Sequence, residues 1–149
     1  MKLLRLDHIV TKILLMISVM LLVACEHEEP VSDTGRWYTS MQMQQGNSLF
    51  QENCAICHGA NAQGLADDWR VRDSNGNLPP PPLNGTAHTW HHSLDLLDQI
   101  IAEGGVLYEG NMPGFSGQLS REDRRAVIAY FQSFWTDEIY NAWMEINNR

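Results

Sequence analysis

The stretch CAICH, from Cys54 to His58, places two thiols three positions apart with an imidazole directly after the second. This arrangement serves three chemistries: a redox-active dithiol, a zinc site, or covalent attachment of haem with the histidine on its iron. The 149-residue chain has one other cysteine, Cys25, so no pair is left for a separate structural disulfide. The choice among the three therefore rests on the surrounding sequence.

The surrounding sequence fits zinc and dithiol chemistry poorly. His88 and His92 have the spacing of paired zinc ligands. However, Cys57 and His88 are separated by far more than the roughly 12–15 residues of a zinc finger. A thioredoxin-like dithiol follows a strand within βαβ units, whereas a helical pattern precedes Cys54. Haem attachment needs two thiols that add to the vinyl groups and a histidine under the iron, and CAICH supplies all three.

The N-terminal segment has the features of an export signal. Basic residues precede an apolar run from Ile13 to Ala24. This run is shorter than the roughly 20 residues that span a bilayer. It ends in LVAC, at residues 22–25, which resembles a bacterial lipobox, where cleavage leaves Cys25 to carry acyl chains. An uncleaved anchor with an incidental cysteine is the alternative.

This interpretation divides the chain into residues 1–24 as a lipoprotein signal peptide, 25–40 as a lipidated flexible tether, and 41–149 as the domain. The domain carries a helical extension at its C-terminus. The tether begins with a polar, acidic stretch without periodicity, as linkers do. We expect the domain on the periplasmic side of a bacterial membrane, anchored to lipid through acylated Cys25.

The charge of the chain disfavours nucleic acid as a partner. The formal net charge is −8, and removal of residues 1–24 takes away three basic residues and one acidic residue, which leaves −10. Such a domain repels nucleic acid, and an electrostatically steered encounter requires a basic partner surface. Acidity that serves solubility alone is the simpler explanation.

Hydrophobic periodicity predicts an all-α domain with long loops. One helix leads into Cys54, Ser93 caps a second, and residues 120–123 open a third as a capping box. The spacing around Trp143 indicates a separate terminal helix. A long irregular stretch that contains four prolines, Pro79 to Pro82, follows CAICH, and no helix crosses it.

Met112 is the expected sixth ligand of the iron. It lies in a glycine-rich loop between the helix capped by Ser93 and the helix opened by residues 120–123, and Pro113 stiffens that loop. A thioether there gives His/Met ligation, which raises the reduction potential relative to bis-histidine ligation. The bis-histidine alternatives are His88, His91 and His92.

Taken together, these motifs resemble a class I monohaem cytochrome c in bacterial lipoprotein form, over about residues 41–135. The shared pattern is a first helix with glycine and an aromatic, then CxxCH, a proline–leucine loop, an axial methionine before proline, and a last helix with aromatics. In this chain the pattern falls on Gly46 and Phe50, CAICH, PPLNG, Met112-Pro113, and Tyr130/Phe131.

The resemblance implies a cytochrome c fold, with long loops wrapped around one covalently bound haem c. It implies that Gly46 permits a close crossing of the first and last helices, with Phe50 packed on Tyr130 or Phe131. It also implies that the carbonyl of Pro81 accepts the Nδ1 proton of His58, with Pro82 as the runner-up.

The stretch from Leu65 to His92 is longer and richer in proline than in minimal bacterial members. Trp90 is expected to donate its indole N–H to a haem propionate, and Arg70 or Arg72 to pair with one; ordinary loop packing is the alternative. The histidines of HTWHH, residues 88–92, could instead bind copper, which imidazole suits.

These features predict an electron carrier rather than an enzyme. It would exchange electrons with redox proteins such as an oxidase, a reductase or a dehydrogenase, alone or as a subunit of a respiratory oxidoreductase complex. The alternatives are a haem-based ligand-binding or sensing module, a peroxidase, or a metal-handling protein that uses the cluster His88–His92.

Overall fold

A computed structural model describes residues 32–148, and within them the chain is helical with no strand. The predicted signal peptide and Cys25 lie outside these residues. No helix of the described part has the length and apolar character needed to cross a membrane. The α-helices are α1 (Ser40–Asn53), α2 (Ala55–His58), α3 (Leu94–Glu103), α4 (Arg121–Gln132) and α5 (Asp137–Asn147), and 3-10 turns span Thr89–His91 and Val106–Tyr108. The all-α prediction is confirmed.

Short polar signals in the sequence set the helix ends. A hydroxyl side chain accepts a backbone N–H at the start of α1, α3, α4 and α5, namely Thr39, Ser93, Ser120 and Thr136. At Ser120 the predicted capping box forms with Asp123. Gly104 adopts φ 93° after α3, a conformation that glycine reaches without strain. These ends place the long irregular loops between α2 and α3 and between α3 and α4.

Helices α1 and α4 cross in direct backbone contact. A Cβ atom added at Gly46 would lie 1.8 Å from the carbonyl oxygen of Ala126, so no larger residue fits there. One turn further along α1, the ring of Phe50 packs on Tyr130 with centroids 5.1 Å apart. The crossing and the aromatic contact both agree with the resemblance. Together they fix the end of α1, from which CAICH continues.

An ion pair joins α3 to α4. The Nε atom of Arg124 donates to a carboxylate oxygen of Asp98 at 2.8 Å, and both side chains are largely buried. A second guanidinium nitrogen of Arg124 donates to the carbonyl of Leu119 at 2.9 Å. A paired and hydrogen-bonded buried charge is tolerated, whereas removal of one partner is costly. The pair therefore holds α3 against the core.

The predicted tether ends earlier than residue 40. The guanidinium of Arg36 donates to the carbonyls of Gln132 and Trp135 at 2.6 and 2.8 Å, and Tyr38 is buried in the core. The backbone N–H of Trp37 donates to the hydroxyl oxygen of Tyr140 in α5 at 2.8 Å. The Gln132 carbonyl at the end of α4 also accepts the N–H of Trp135 at 3.0 Å, and the arginine fork adds a charge-assisted donor both there and at the Trp135 carbonyl just beyond the helix. Residues 36–40 therefore belong to the packed domain.

The close crossing generates a stability prediction. We expect Gly46→Ala to lower the free energy of unfolding by about 1–3 kcal/mol or more, the usual cost of overpacking, because the added carbon meets backbone rather than a movable side chain. Thermal unfolding measured by circular dichroism checks this.

Gly117→Ala is the matched control, since a Cβ atom there meets nothing within 4 Å. Equal unfolding temperatures for the two variants would contradict the crossing at Gly46.

Candidate functional site

A cavity of about 410 Å³ lies among α2, α3, the end of α4 and the loops that connect them. This volume falls within the usual range of ligand and cofactor pockets. The walls are mostly apolar and carry a few groups able to bind a metal or to react. The residues from the CAICH segment are Asn53, Cys54, Ile56, Cys57 and His58, and those from later segments include Trp69, Pro81, His88, His92, Met112 and Phe131.

His58 is held in one orientation on the cavity wall. Its Nδ1 lies 2.9 Å from the carbonyl oxygen of Pro81, and because a carbonyl only accepts, Nδ1 carries the proton. Burial lowers the pKa of the His58 imidazole, and the bond to Pro81 opposes that shift in part. The ring is therefore neutral, with the lone pair on Nε2, the form in which histidine binds metals. The Pro82 carbonyl has a different donor, the hydroxyl of Thr89 at 3.1 Å.

The two thiols differ in exposure and are not joined by a disulfide. Cys54 is buried at the junction of α1 and α2, whereas Cys57 is exposed at the mouth of the cavity. Burial raises the pKa of the Cys54 thiol to about 11, and the nearby Cys57 adds to that effect. Redox-active CxxC motifs instead lower the pKa of a thiol to roughly 3.5–7.5. The environment of Cys54 argues against a redox dithiol.

Met112 lines the same cavity as His58, on a loop that folds back onto the end of α3. The Met112 carbonyl accepts from the N–H of Gly105 at 2.9 Å, and the Phe115 N–H donates to the Ile101 carbonyl at 2.9 Å. The close approach of the loop needs glycine, since a Cβ atom at Gly104 would lie 2.7 Å from the Met112 carbonyl oxygen. The loop thus has a defined path that brings the thioether to the cavity.

The three histidines proposed as alternative ligands take different positions. His88 and His92 line the cavity, whereas His91 is exposed and lines only an adjoining shallow depression, which His88 also borders. The Nδ1 atom of His88 is buried without a hydrogen-bond partner. A ligating histidine almost always donates its other N–H to an acceptor, as His58 does to Pro81. This difference favours His58 over His88 as a metal ligand.

Trp90 does not line the cavity, and its hydrogen bond to a haem propionate stays a prediction. It borders the shallow depression outside the cavity, beside Arg70. Within the 3-10 turn at Thr89–His91, Thr89 is buried, whereas Trp90 is only partly buried and packs against the core from its edge. The tryptophan on the cavity wall is Trp69, whose ring stacks on His88 with centroids 4.6 Å apart.

The two arginines predicted near a propionate have partners on the protein surface. Arg70 pairs with Asp68 at 2.8 Å, and Arg72 pairs with Glu109. Both arginines are exposed, and neither lines the cavity.

The described part of the chain contains no separate cluster of metal-binding side chains. Within residues 32–148 no three His, Cys, Asp or Glu side chains converge as a set that could hold an ion. Copper binding at His88–His92 therefore has no preformed three-ligand site there.

The cavity residues fit haem c. Two thiols and a neutral imidazole with a free Nε2 stand on one wall, and a thioether stands on another part of the lining. The remaining walls are apolar, as the buried face of a porphyrin requires. An all-α domain with these groups at one cavity has the composition of a c-type haem protein.

The comparison with protein families makes this assignment specific. The chain belongs to the cytochrome c family, because the family model described as "Cytochrome C oxidase, cbb3-type, subunit III" matches residues 41–131. Members of this family bind haem c covalently and act as electron carriers, and the electron-carrier prediction is confirmed at this level.

Curated relatives are cytochrome c subunits of larger proteins. The "Alcohol dehydrogenase (quinone), cytochrome c subunit" of Gluconacetobacter polyoxogenes and that of Komagataeibacter europaeus are each 29% identical over 97 residues. The corresponding subunit of Gluconobacter oxydans (strain 621H) is 28% identical over 97 residues. Each match covers 60% of this chain and 18% of the relative. No solved structure matches the chain significantly.

Proposed function

We propose that this domain carries electrons through a single haem c, which Cys54 and Cys57 would hold covalently and whose iron His58 and Met112 would bind. The orientation of His58 is the observation that carries the proposal. Its Nδ1 proton is committed to the Pro81 carbonyl, so the ring can offer only Nε2 to an iron. The bound haem supplies a one-electron couple at its iron.

The residues of the chain control the properties of that couple. Thioether bonds at Cys54 and Cys57 would keep the cofactor from dissociating. The apolar walls exclude water from the cavity, which disfavours the more highly charged oxidised state. A thioether ligand at Met112 acts in the same direction. We therefore expect a higher potential than that of a solvent-exposed, bis-histidine haem.

The assignment of Met112 gives a spectroscopic prediction. In the oxidised protein a methionine–iron bond produces a weak near-infrared absorption band, and we expect Met112→Ala to abolish it. Met144→Ala is the control, because Met144 lies in α5 and does not line the cavity. Retention of the band in Met112→Ala would reject Met112 and reopen the bis-histidine alternatives.

Electrons would enter and leave at the mouth of the cavity. Ile56 and Leu107 are 82% and 80% exposed, and Val106 and Tyr108, the chain neighbours of Leu107, are exposed as well. Ile56 and Tyr108 both line the cavity, so exposed apolar side chains lie beside the cofactor site. Exposed apolar patches of this kind mark interaction sites. With a net charge of −8, the chain would dock on a partner that surrounds its own apolar patch with basic residues.

The names of the relatives support a dehydrogenase as one such redox partner, and an oxidase or a reductase is proposed as the other. The relatives are cytochrome c subunits of quinone alcohol dehydrogenases, and this chain covers 18% of their length. Electron exchange with native membranes tests the proposal whatever substrate the partner oxidises.

Leu107→Asp tests the docking surface. We expect the rate of haem reduction by native membranes supplied with an electron donor to fall about fivefold or more, as for loss of a central interface residue. The reduction potential should change little, because Leu107 does not line the cavity and the added carboxylate is screened by solvent.

Val71→Asp is the control, since Val71 is also exposed and apolar but lies away from the cavity. Equal rates for Leu107→Asp, Val71→Asp and the native protein would refute docking at this surface. Absence of any reduction by membranes would refute the electron-transfer partnership itself.

The attachment to the membrane is a separate part of the proposal. Acylation of Cys25 would hold the domain on the outer side of the cytoplasmic membrane, near the oxidoreductases it serves, and raise its local concentration there. We expect Cys25→Ser to move the protein from the membrane fraction to the soluble periplasmic fraction or to block its maturation. Continued, full membrane association of that variant would show that another element anchors the chain.

A further inference from the structure

The Pro81 carbonyl that accepts from His58 lies in a segment with few bonds of its own. Residues 79–82 are four consecutive prolines, which have no N–H to donate. The first backbone N–H after them belongs to Leu83 and donates to the Ala62 carbonyl at 2.7 Å. The position of the Pro81 carbonyl therefore depends on the groups that bind its neighbours.

Two buried side chains bind the neighbouring carbonyls. The hydroxyl of Thr89 donates to the carbonyl of Pro82 at 3.1 Å, and the indole Nε1 of Trp135 donates to the carbonyl of Leu83 at 2.8 Å. These donors are only 3% and 2% exposed. Three consecutive carbonyls thus each accept one side-chain donor, and His58 is the donor to the first of them.

We infer that Thr89 and Trp135 are positioning residues for the imidazole of His58. Thr89 binds the carbonyl of Pro82 and Trp135 binds the carbonyl of Leu83. By fixing these two residues, they hold the preceding Pro81 carbonyl in the place where His58 donates to it. This inference rests on the proposed ligation of iron by His58. A ligating histidine that donates its second N–H is a stronger ligand, and such hydrogen bonds tune the potential of the metal.

Loss of either donor leaves one carbonyl of the segment without a partner and allows the segment to shift. The hydrogen bond from His58 Nδ1 then weakens, and the imidazole donates less electron density to the iron. Because the oxidised iron gains more from that density than the reduced iron, the reduction potential rises. If Thr89 and Trp135 served only to pack the core, their substitution would lower the free energy of unfolding but would leave the His58 Nδ1 hydrogen bond and the reduction potential unchanged.

The test uses Thr89→Val and Trp135→Phe in the haem-loaded protein. Valine keeps the shape of threonine, and phenylalanine keeps an aromatic ring, while each removes one N–H or O–H donor. Two quantities are measured: the rate at which the His58 Nδ1 proton exchanges with solvent, by NMR, and the midpoint potential. We expect exchange about threefold to tenfold faster, as for the loss of one hydrogen bond, and a higher midpoint potential in both variants.

Two further variants serve as controls. Trp143 is fully buried and its indole Nε1 donates to a carbonyl at 2.8 Å, but that carbonyl belongs to His92 rather than to the Pro81–Leu83 segment. Trp143→Phe therefore removes the same kind of bond at a different place. Thr89→Ser keeps the hydroxyl. We expect both controls to retain the native exchange rate and potential.

The outcomes separate this inference from the proposed ligation. Unchanged exchange and potential in folded Thr89→Val and Trp135→Phe, or equal changes in Trp143→Phe, would overturn the positioning role. In the oxidised protein, the Nδ1 proton of an iron-bound imidazole is shifted far outside the usual spectral range by the unpaired electron. Absence of that shift in the native protein would refute His58 as a ligand, and the inference with it. Its presence with unchanged exchange would refute the inference alone.

Discussion

The close crossing of α1 and α4 at Gly46 is the constraint on which the site depends. Because the backbone of Ala126 occupies the place of a side chain at Gly46, the two helices can approach only with glycine there. The contact fixes the far end of α1, and CAICH begins directly after it. On α4, the hydroxyl of Tyr130 donates to the carbonyl of Ala60 at 2.9 Å and so ties the helix to the loop that follows His58. The packing of α1 on α4 thus fixes the position of CAICH in the domain.

The second constraint is the apolar cavity beside the motif, which has the size and lining of a cofactor site. A cavity of about 410 Å³ with mostly apolar walls lies at the centre of the site. Protein interiors are normally filled to the density of organic crystals, so an apolar space of this size indicates a ligand that is part of the fold. Membership of the cytochrome c family supplies the identity of that ligand class. The segment 32–40 and helix α5 lie outside the residues that match the family model. They pack on the core and hydrogen-bond to it through Arg36 and Trp143.

Much of the fold was predictable because its determinants are local. The start of each long helix follows from a capping residue directly before it in the sequence. The four prolines at residues 79–82 exclude a helix there, whatever the rest of the chain does. The tether boundary was not predictable in this way, because the partners of Arg36 lie 96 and 99 residues away in sequence. The same holds for the choice between Trp69 and Trp90. Trp69 lies in irregular chain and Trp90 in a short 3-10 turn, and only tertiary packing decides which ring lines the cavity.

Every proposal made for this domain requires that haem is bound covalently to the chain at CAICH. The most direct measurement is mass spectrometry of the peptide that contains residues 54–58, after the purified protein has been treated with acidified organic solvent. We expect the colour to stay with the polypeptide and this peptide to carry one haem, joined through both Cys54 and Cys57. Extraction of the pigment into the solvent, or recovery of the peptide with two unmodified cysteines, would contradict it.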